Sequence, residues 1–252
     1  MVKMKIFDGF NITPNYYNSI ILIGNFDGVH LGHQEVLRRV DSQAKKLGLP
    51  SVVMTFEPQP MELFLGHKAP ARLTRLRDKY AQIRMLGIDR LLCVSFNKKL
   101  ANLAADQFIA DLLVKKLGVK FLVVGDDFCF GRDRAGDFSM LQKAGKQYGF
   151  DVVSTQSFCL KSIRVSSTEV RKALVQNQLS LVSQMLGRRY SISGRVSHGR
   201  KIGRTLGFPT ANVPLKRNVS PISGVYIVEV HGISDAPIGG VANIGHQPTV
   251  DG

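Results

Sequence analysis

Cysteine is scarce. The 252 residues hold three, Cys93, Cys129 and Cys159. They are odd in number, far apart and form no C-x-x-C, which argues against a disulfide framework and for reduced, cytosolic thiols. No Cys/His cluster has zinc spacing. Long apolar runs are also missing. The longest stretches, such as 20–23, have strand length and fall far short of spanning a bilayer. Residues 1–10 carry Lys3, Lys5 and Asp8 and lack the apolar core of a signal peptide. No repeat or low-complexity segment is present. Acidic residues are few: nineteen Asp and Glu face thirty-four Lys and Arg, for a net charge of +15. Such a chain wants an anionic partner: nucleic acid, an acidic membrane surface or a phosphorylated small molecule. The excess is local, since residues 161–217 hold twelve basic side chains and one acid, Glu169.

What is present fits a folded chain. Hydrophobic residues make up 44% and charged ones 21%, so a sizeable core can be buried. Apolar runs at 20–24, 51–56, 90–96, 120–125 and 151–155 predict buried strands. Helical spacing predicts helices over 33–47, 74–86, 106–117 and 139–148, with Gly48 and Gly87 as stops. Strands alternating with helices imply an α/β fold with a parallel sheet covered on both faces. Ser166 and Glu169 have capping-box spacing at the start of a short helix over 166–173. A further helix is predicted over 178–186, ended by Gly187. Beyond it come only short β-like segments, at 190–196, 224–230 and 239–244. A boundary falls there, giving regions 1–185 and 186–252, the second β-rich.

Two segments carry phosphate chemistry. Gly24-Asn-Phe-Asp-Gly-Val-His-Leu-Gly-His33 lies between a predicted strand and a predicted helix. That turn sits at the carboxyl end of a strand, where α/β sheets bind ligands. The helix N-terminus offers unpaired N–H groups and a positive dipole end. His30 and His33 are three apart, so both can face one anion, and Gly32 permits close backbone approach. Arg164-Val-Ser-Ser-Thr-Glu-Val-Arg171 supplies two guanidiniums, three hydroxyls and a second helix N-terminus, a set that can grip a triphosphate. Alone it is also an ordinary capped helix start.

Together these motifs resemble the H-x-G-H nucleotidyltransferase superfamily. More narrowly, the chain resembles the bacterial bifunctional riboflavin kinase/FMN adenylyltransferases, or FAD synthetases. Supporting segments are IGNFDGVHLGHQ (23–34), TFEPQP (55–60), RLTRLRDKY (72–80), VVGDDFCFGRDRAGDF (123–138) and RVSSTEVR (164–171). A second set matches the kinase half: GRVSHGRKIGRTLGFPTANVPL (194–215), GVYIVEV (224–230) and GVANIGHQPTVDG (240–252).

The resemblance implies a Rossmann-like nucleotidyltransferase domain followed by a partial riboflavin-kinase-like β-barrel. It implies that an FMN phosphate oxygen attacks the α-phosphorus of ATP, forming FAD and releasing pyrophosphate. His30, His33 and Arg171 would be catalytic. Gly24, Asn25, Phe26, Asp27, Arg164, Ser167 and Thr168 would bind ATP, and Asp127 would lie near the flavin. In the kinase half, Gly203, Arg204, Thr210 and Asn212 would form a Mg²⁺-ATP site for phosphorylating riboflavin. Thr210 and Asn212, two apart on an extended segment, would reach one Mg²⁺. The family's F-E-P-H-P reads with Gln59 at the His position here. Relatives continue beyond residue 252 with the segment carrying the kinase's general-base Glu, so the expectation is an intact adenylyltransferase with an inactive kinase half. The implied setting is cytoplasmic, with small-molecule substrates and neither nucleic acid nor membrane as partner. The oligomeric state stays open. Another phosphorylated acceptor for the same chemistry remains an alternative, as does a basic nucleic-acid-binding protein. The region 188–217 has only Tyr190 and Phe208 as aromatics, which speaks against the latter.

Overall fold

Short apolar runs ending in glycine or polar turns become the strands. The computed structural model describes residues 5–7, 18–158, 165–197, 210–215, 217 and 219–245. Six strands form one sheet: β1 (Lys5–Phe7), β2 (Ile20–Ile23), β3 (Ser51–Glu57), β4 (Arg90–Ser95), β5 (Phe121–Val124) and β6 (Asp151–Ser154). Their order is β1-β4-β3-β2-β5-β6, and every pairing is parallel. The short strand β1, on the β4 edge, lies outside the segments predicted from the sequence.

Strand residues alternate between two cores. Ile21, Val52, Met54, Leu92 and Leu122 pack on one side with Leu112, Leu113 and Leu141. Ile20, Leu22, Val53, Leu91 and Val123 pack on the other with Val36, Leu37, Val40 and Ile83. Burial of each such side chain stabilises the fold by about 2 kcal/mol.

The helices are α1 (Leu31–Leu47), α2 (Pro60–Leu65), α3 (Leu76–Met85), α4 (Lys98–Ala101), α5 (Ala105–Gln107), α6 (Phe138–Tyr148), α7 (Thr155–Phe158), α8 (Ser167–Val175) and α9 (Leu179–Leu186). Helix α1 starts two residues before the expected point and stops at Gly48, whose φ of 64° is left-handed. The helix expected over 106–117 is largely π-helical, from Phe108 to Lys116. Such wide turns are rare and leave no periodicity to read in advance. At α8 the Ser166 side chain accepts from the Glu169 N–H, while the Glu169 carboxylate pairs with Lys172. Only half of the predicted box forms.

Connections from β2 lead to β3 on one side, and β5 lies on the other. Such a switch point opens a crevice beyond the strand ends. The Gly24–His33 segment leads straight out of β2 into it.

In the second region β7 (Gly224–Val230) and β8 (Ile238–Ile244) form an antiparallel hairpin, with Gly224 opposite Ile244. The expected strand over 190–196 does not form. Its polar groups bond to the α3 region instead: Ser193 O accepts from Arg75, Ser193 donates to Asp78, and the Tyr190 hydroxyl donates to Leu73 O. A third apolar cluster unites Leu73, Val170, Leu174, Val182, Leu186 and Ile222.

Candidate active site

The β2–α1 loop is a tight, unusual backbone. Gly24 continues the sheet by donating to Met54 O. Phe26 and Val29 then take positive φ values of 47° and 41°, flanking Gly28 at 83°. Non-glycine residues rarely hold such angles, and strain of this kind gathers at functional sites.

His30 is the N-cap of α1, and its Nδ1 accepts from the His33 N–H at 3.3 Å. An accepting Nδ1 places the proton of the neutral ring on Nε2. The two imidazoles stack, with centroids 3.6 Å apart and planes 19° from parallel. Phe26 packs edge-on against His33 at 5.2 Å. Gly32 makes room for this stack: a Cβ there would lie 3.3 Å from the His30 ring and 3.4 Å from Val165 O.

Both rings are held neutral. Burial pushes the His30 pKa down to about 4; Asp27 opposes this, and Arg188 adds to it. Burial also drives His33 well below its ordinary value, reinforced by His30 and Lys79. His33 Nδ1 is buried with no hydrogen-bond partner. Neutral imidazoles can donate to a phosphate oxygen without meeting it as fixed charges.

Asp27 is the hub beneath them, 2% exposed. Its carboxylate accepts from the N–H groups of Leu73 and Thr74, the Thr74 hydroxyl and, at 2.6 Å, Arg171 Nη2. Arg171 also donates to Ala71 O, and the Ser167 hydroxyl donates to Asp27 O. Two residues expected to bind ATP and one expected to be catalytic thus bind one another: Asp27, Ser167 and Arg171 form a framework joining β2–α1, residues 71–74 and α8. Arg72 closes it by pairing with Glu57 and Glu62. Asn25 and Thr168 are exposed at the same end. Asp127 is exposed on the loop after β5, the neighbour of β2 across the crevice. Thr210 and Asn212 are exposed, and Asn212 O accepts from Ser197 N. Arg164, Gly203 and Arg204 lie outside the described residues.

Residues not singled out from the sequence also shape the site. Thr74 Oγ1 accepts from Gly28 N. Gln34 and Arg188 donate to carbonyls of the loop. Lys79, 0% exposed, has no hydrogen-bond partner for its ammonium. A lysine amid apolar positions of α3 is the one signal that pointed to it, since buried lysines are rare.

Comparison with known proteins gives the family. The FAD synthetase family model matches residues 13–169, and the riboflavin kinase model matches residues 186–252. The bifunctional riboflavin kinase/FMN adenylyltransferase of Escherichia coli (strain K12) is 58% identical over 233 residues, covering 92% of this chain and 74% of that protein. The protein of the same name from Haemophilus influenzae is 51% identical over 232 residues, covering 92% and 75%. A crystal structure described as a macrolide-efflux protein from Streptococcus pneumoniae superposes with a TM-score of 0.78 at 28% identity, over 99% of this chain and 81% of that one. Among the described residues no helix is long and apolar enough to cross a membrane. Two family models in tandem and relatives above half identity establish that the chain belongs to the bifunctional riboflavin kinase/FMN adenylyltransferase family.

Proposed function

We propose that adenylyl transfer occurs where the switch point of the sheet meets the N-terminus of α1, with His30 and His33 facing the α-phosphate of ATP. The overall reaction is that of the family: FMN and ATP give FAD and pyrophosphate. The observation that supports the site is the neutral His30–His33 stack at a helix N-terminus.

An FMN phosphate oxygen forms a bond to the α-phosphorus as the bond to the pyrophosphate oxygen breaks. Little covalent help is needed; positioning and charge stabilisation suffice. His30 Nε2–H donates to a phosphate oxygen as charge builds, and His33 supplies the second imidazole. Arg171 and Ser167 act through the loop they hold with Asp27, as positioning residues. Asn25 and Thr168 line the ATP side, with Gly24 and Phe26 shaping the site; Arg164 stays a candidate ATP ligand by the family resemblance of its segment. Asp127 lies on the flavin side.

The adenylyltransferase region is 1–185 and the riboflavin kinase region 186–252. Thr210 and Asn212 offer two neutral oxygens, and among the described residues no cluster of three His, Cys, Asp or Glu side chains could hold a metal. A Mg²⁺ there would arrive on the ATP phosphates, with Gly203 and Arg204 nearby in sequence. The substrates are small molecules, and the three scattered cysteines suit a reducing, cytoplasmic setting.

The test is direct. The protein is incubated with ATP, Mg²⁺ and, in separate reactions, FMN, riboflavin, pantetheine phosphate or nicotinate mononucleotide, and products are separated by chromatography. FAD and pyrophosphate in equal amounts from FMN are expected. A product from pantetheine phosphate or nicotinate mononucleotide, with none from FMN, would overturn the reading. The riboflavin arm reports on the kinase region separately.

A further inference from the structure

The loop carrying His30 and His33 is strained, and something must hold it. Phe26 and Val29 sit at φ values of 47° and 41°, and Val29 is β-branched. Such angles persist only where the surroundings enforce them. Thr74 fixes the Gly28 N–H. The carbonyls are fixed from elsewhere in the chain. Arg188 Nη2 donates to Gly28 O at 2.6 Å, and Nη1 donates to Val29 O at 3.2 Å and Leu186 O at 3.1 Å. Gln34 Nε2 bridges the same pair, Val29 O at 3.0 Å and Leu186 O at 2.8 Å. The end of α9 is thereby tied to the start of α1. Gly187 presses into the same junction, where a Cβ would lie 2.8 Å from Leu31 Cδ2.

We propose that Arg188 is a positioning residue for adenylyl transfer: from inside the segment matched by the riboflavin kinase model, its fork holds the loop that presents His30 and His33. The inference rests on the site proposed above. Three features carry it. The guanidinium is half-buried against carbonyls, with no carboxylate in an ion pair among the described residues, an expensive arrangement to keep without a use. Its two Nη atoms reach two successive carbonyls, which the single nitrogen of lysine does not match. Its charge lies beside His30 and disfavours protonation of that ring. The neighbouring Arg189 differs in every respect, being 80% exposed and paired with Glu229. The same segment grips the other side of the framework: Tyr190 donates to Leu73 O and Arg217 to Arg72 O. FAD formation therefore depends on residues that the family models assign to the other activity.

The test uses the full chain. R188A, R188K and R189A are assayed for FAD formation from FMN and ATP, alongside urea midpoints. R188A is expected to lose about 10- to 100-fold in kcat, with KM for ATP changed far less, as misplaced catalytic groups do. Millimolar guanidinium should restore part of the loss. The acid limb of the pH–rate profile should move to higher pH in R188A and stay near wild type in R188K. R189A should match wild type. An R188A variant within twofold of wild type overturns the proposal. So does a loss that guanidinium does not relieve while the acid limb stays put. Should R188A fail to fold, R188K decides: a reduced kcat supports the fork, and a wild-type kcat refutes it. The His33→Ala variant separates the two readings. If it forms FAD normally, the site assignment itself fails; if it is inactive while R188A is normal, only the Arg188 inference falls.

Discussion

Acid should weaken the fold through His30, because burial of the ring disfavours its protonated form. The ring is 5% exposed and its pKa is lowered by burial to about 4 from the ordinary 6.5. Between those values the unfolded chain binds a proton that the folded chain refuses. Stability is therefore whole above the unfolded value and is lost as pH falls toward the folded one. From about pH 7.5 to about pH 5, at about 1.4 kcal/mol per pKa unit, His30 alone withdraws about 2 kcal/mol. That is a large part of the 5–15 kcal/mol, roughly, that a domain has to lose. His33 is shifted the same way and adds to the loss. The informative variant is His30→Asn. Asparagine is a good N-cap, so it keeps the bond to the His33 N–H while removing the titrating ring. The chain has no tryptophan, so urea unfolding should be followed by circular dichroism. His30→Asn should lose about 2 kcal/mol less than wild type between the two pH values. Equal losses in the two proteins would refute the claim that the folded site excludes the proton.

Three further outcomes follow from the same geometry. Asp27→Ala strands Arg171 and the amides of Leu73 and Thr74; it should cost about 3 kcal/mol, and a urea-derived loss under about 1 kcal/mol would contradict the hub. Gly32→Ala suits a helix, yet its Cβ crowds the His30 ring and Val165 O. FAD formation should fall about tenfold while the urea midpoint barely moves, and unchanged kinetics would count against the stack. Lys79→Met removes a buried ammonium with no hydrogen-bond partner and should raise the urea midpoint near neutral pH. Burial lowers the Lys79 pKa, so the unfolded chain keeps that proton to higher pH than the folded one. Wild type should gain stability as pH rises into the alkaline range, and the Met variant should lack that gain.

Local patterns explain which parts were legible in the sequence. The run Ile20–Ile23, its glycine and the His30–His33 spacing all act within a dozen residues, so strand, loop and helix start can be read together. Gly48 and Ser166 mark helix ends through bonds to near neighbours. The framework behind the loop is different. Asp27 meets Thr74 across 47 residues and Arg171 across 144, and Arg188 meets Gly28 across 160. No periodicity encodes such pairings. Asp27 therefore reads as an ATP ligand and Arg171 as catalytic, and nothing local reveals that in the fold the two bind each other. Residues 190–196 alternate like a strand, yet their groups are claimed by Arg75, Asp78 and Leu73. Tertiary partners outweighed local preference there.

The measurement that bears most directly on the site is FAD formation by His33→Ala, set beside its folding. The side chain packs against His30 and Phe26 in the first turn of α1 and belongs to none of the apolar clusters. Far-ultraviolet circular dichroism and the urea midpoint should stay near wild type while FAD formed from FMN and ATP falls at least about 100-fold. Near-normal FAD synthesis by a folded His33→Ala protein would contradict the assignment of adenylyl transfer to the β2–α1 loop.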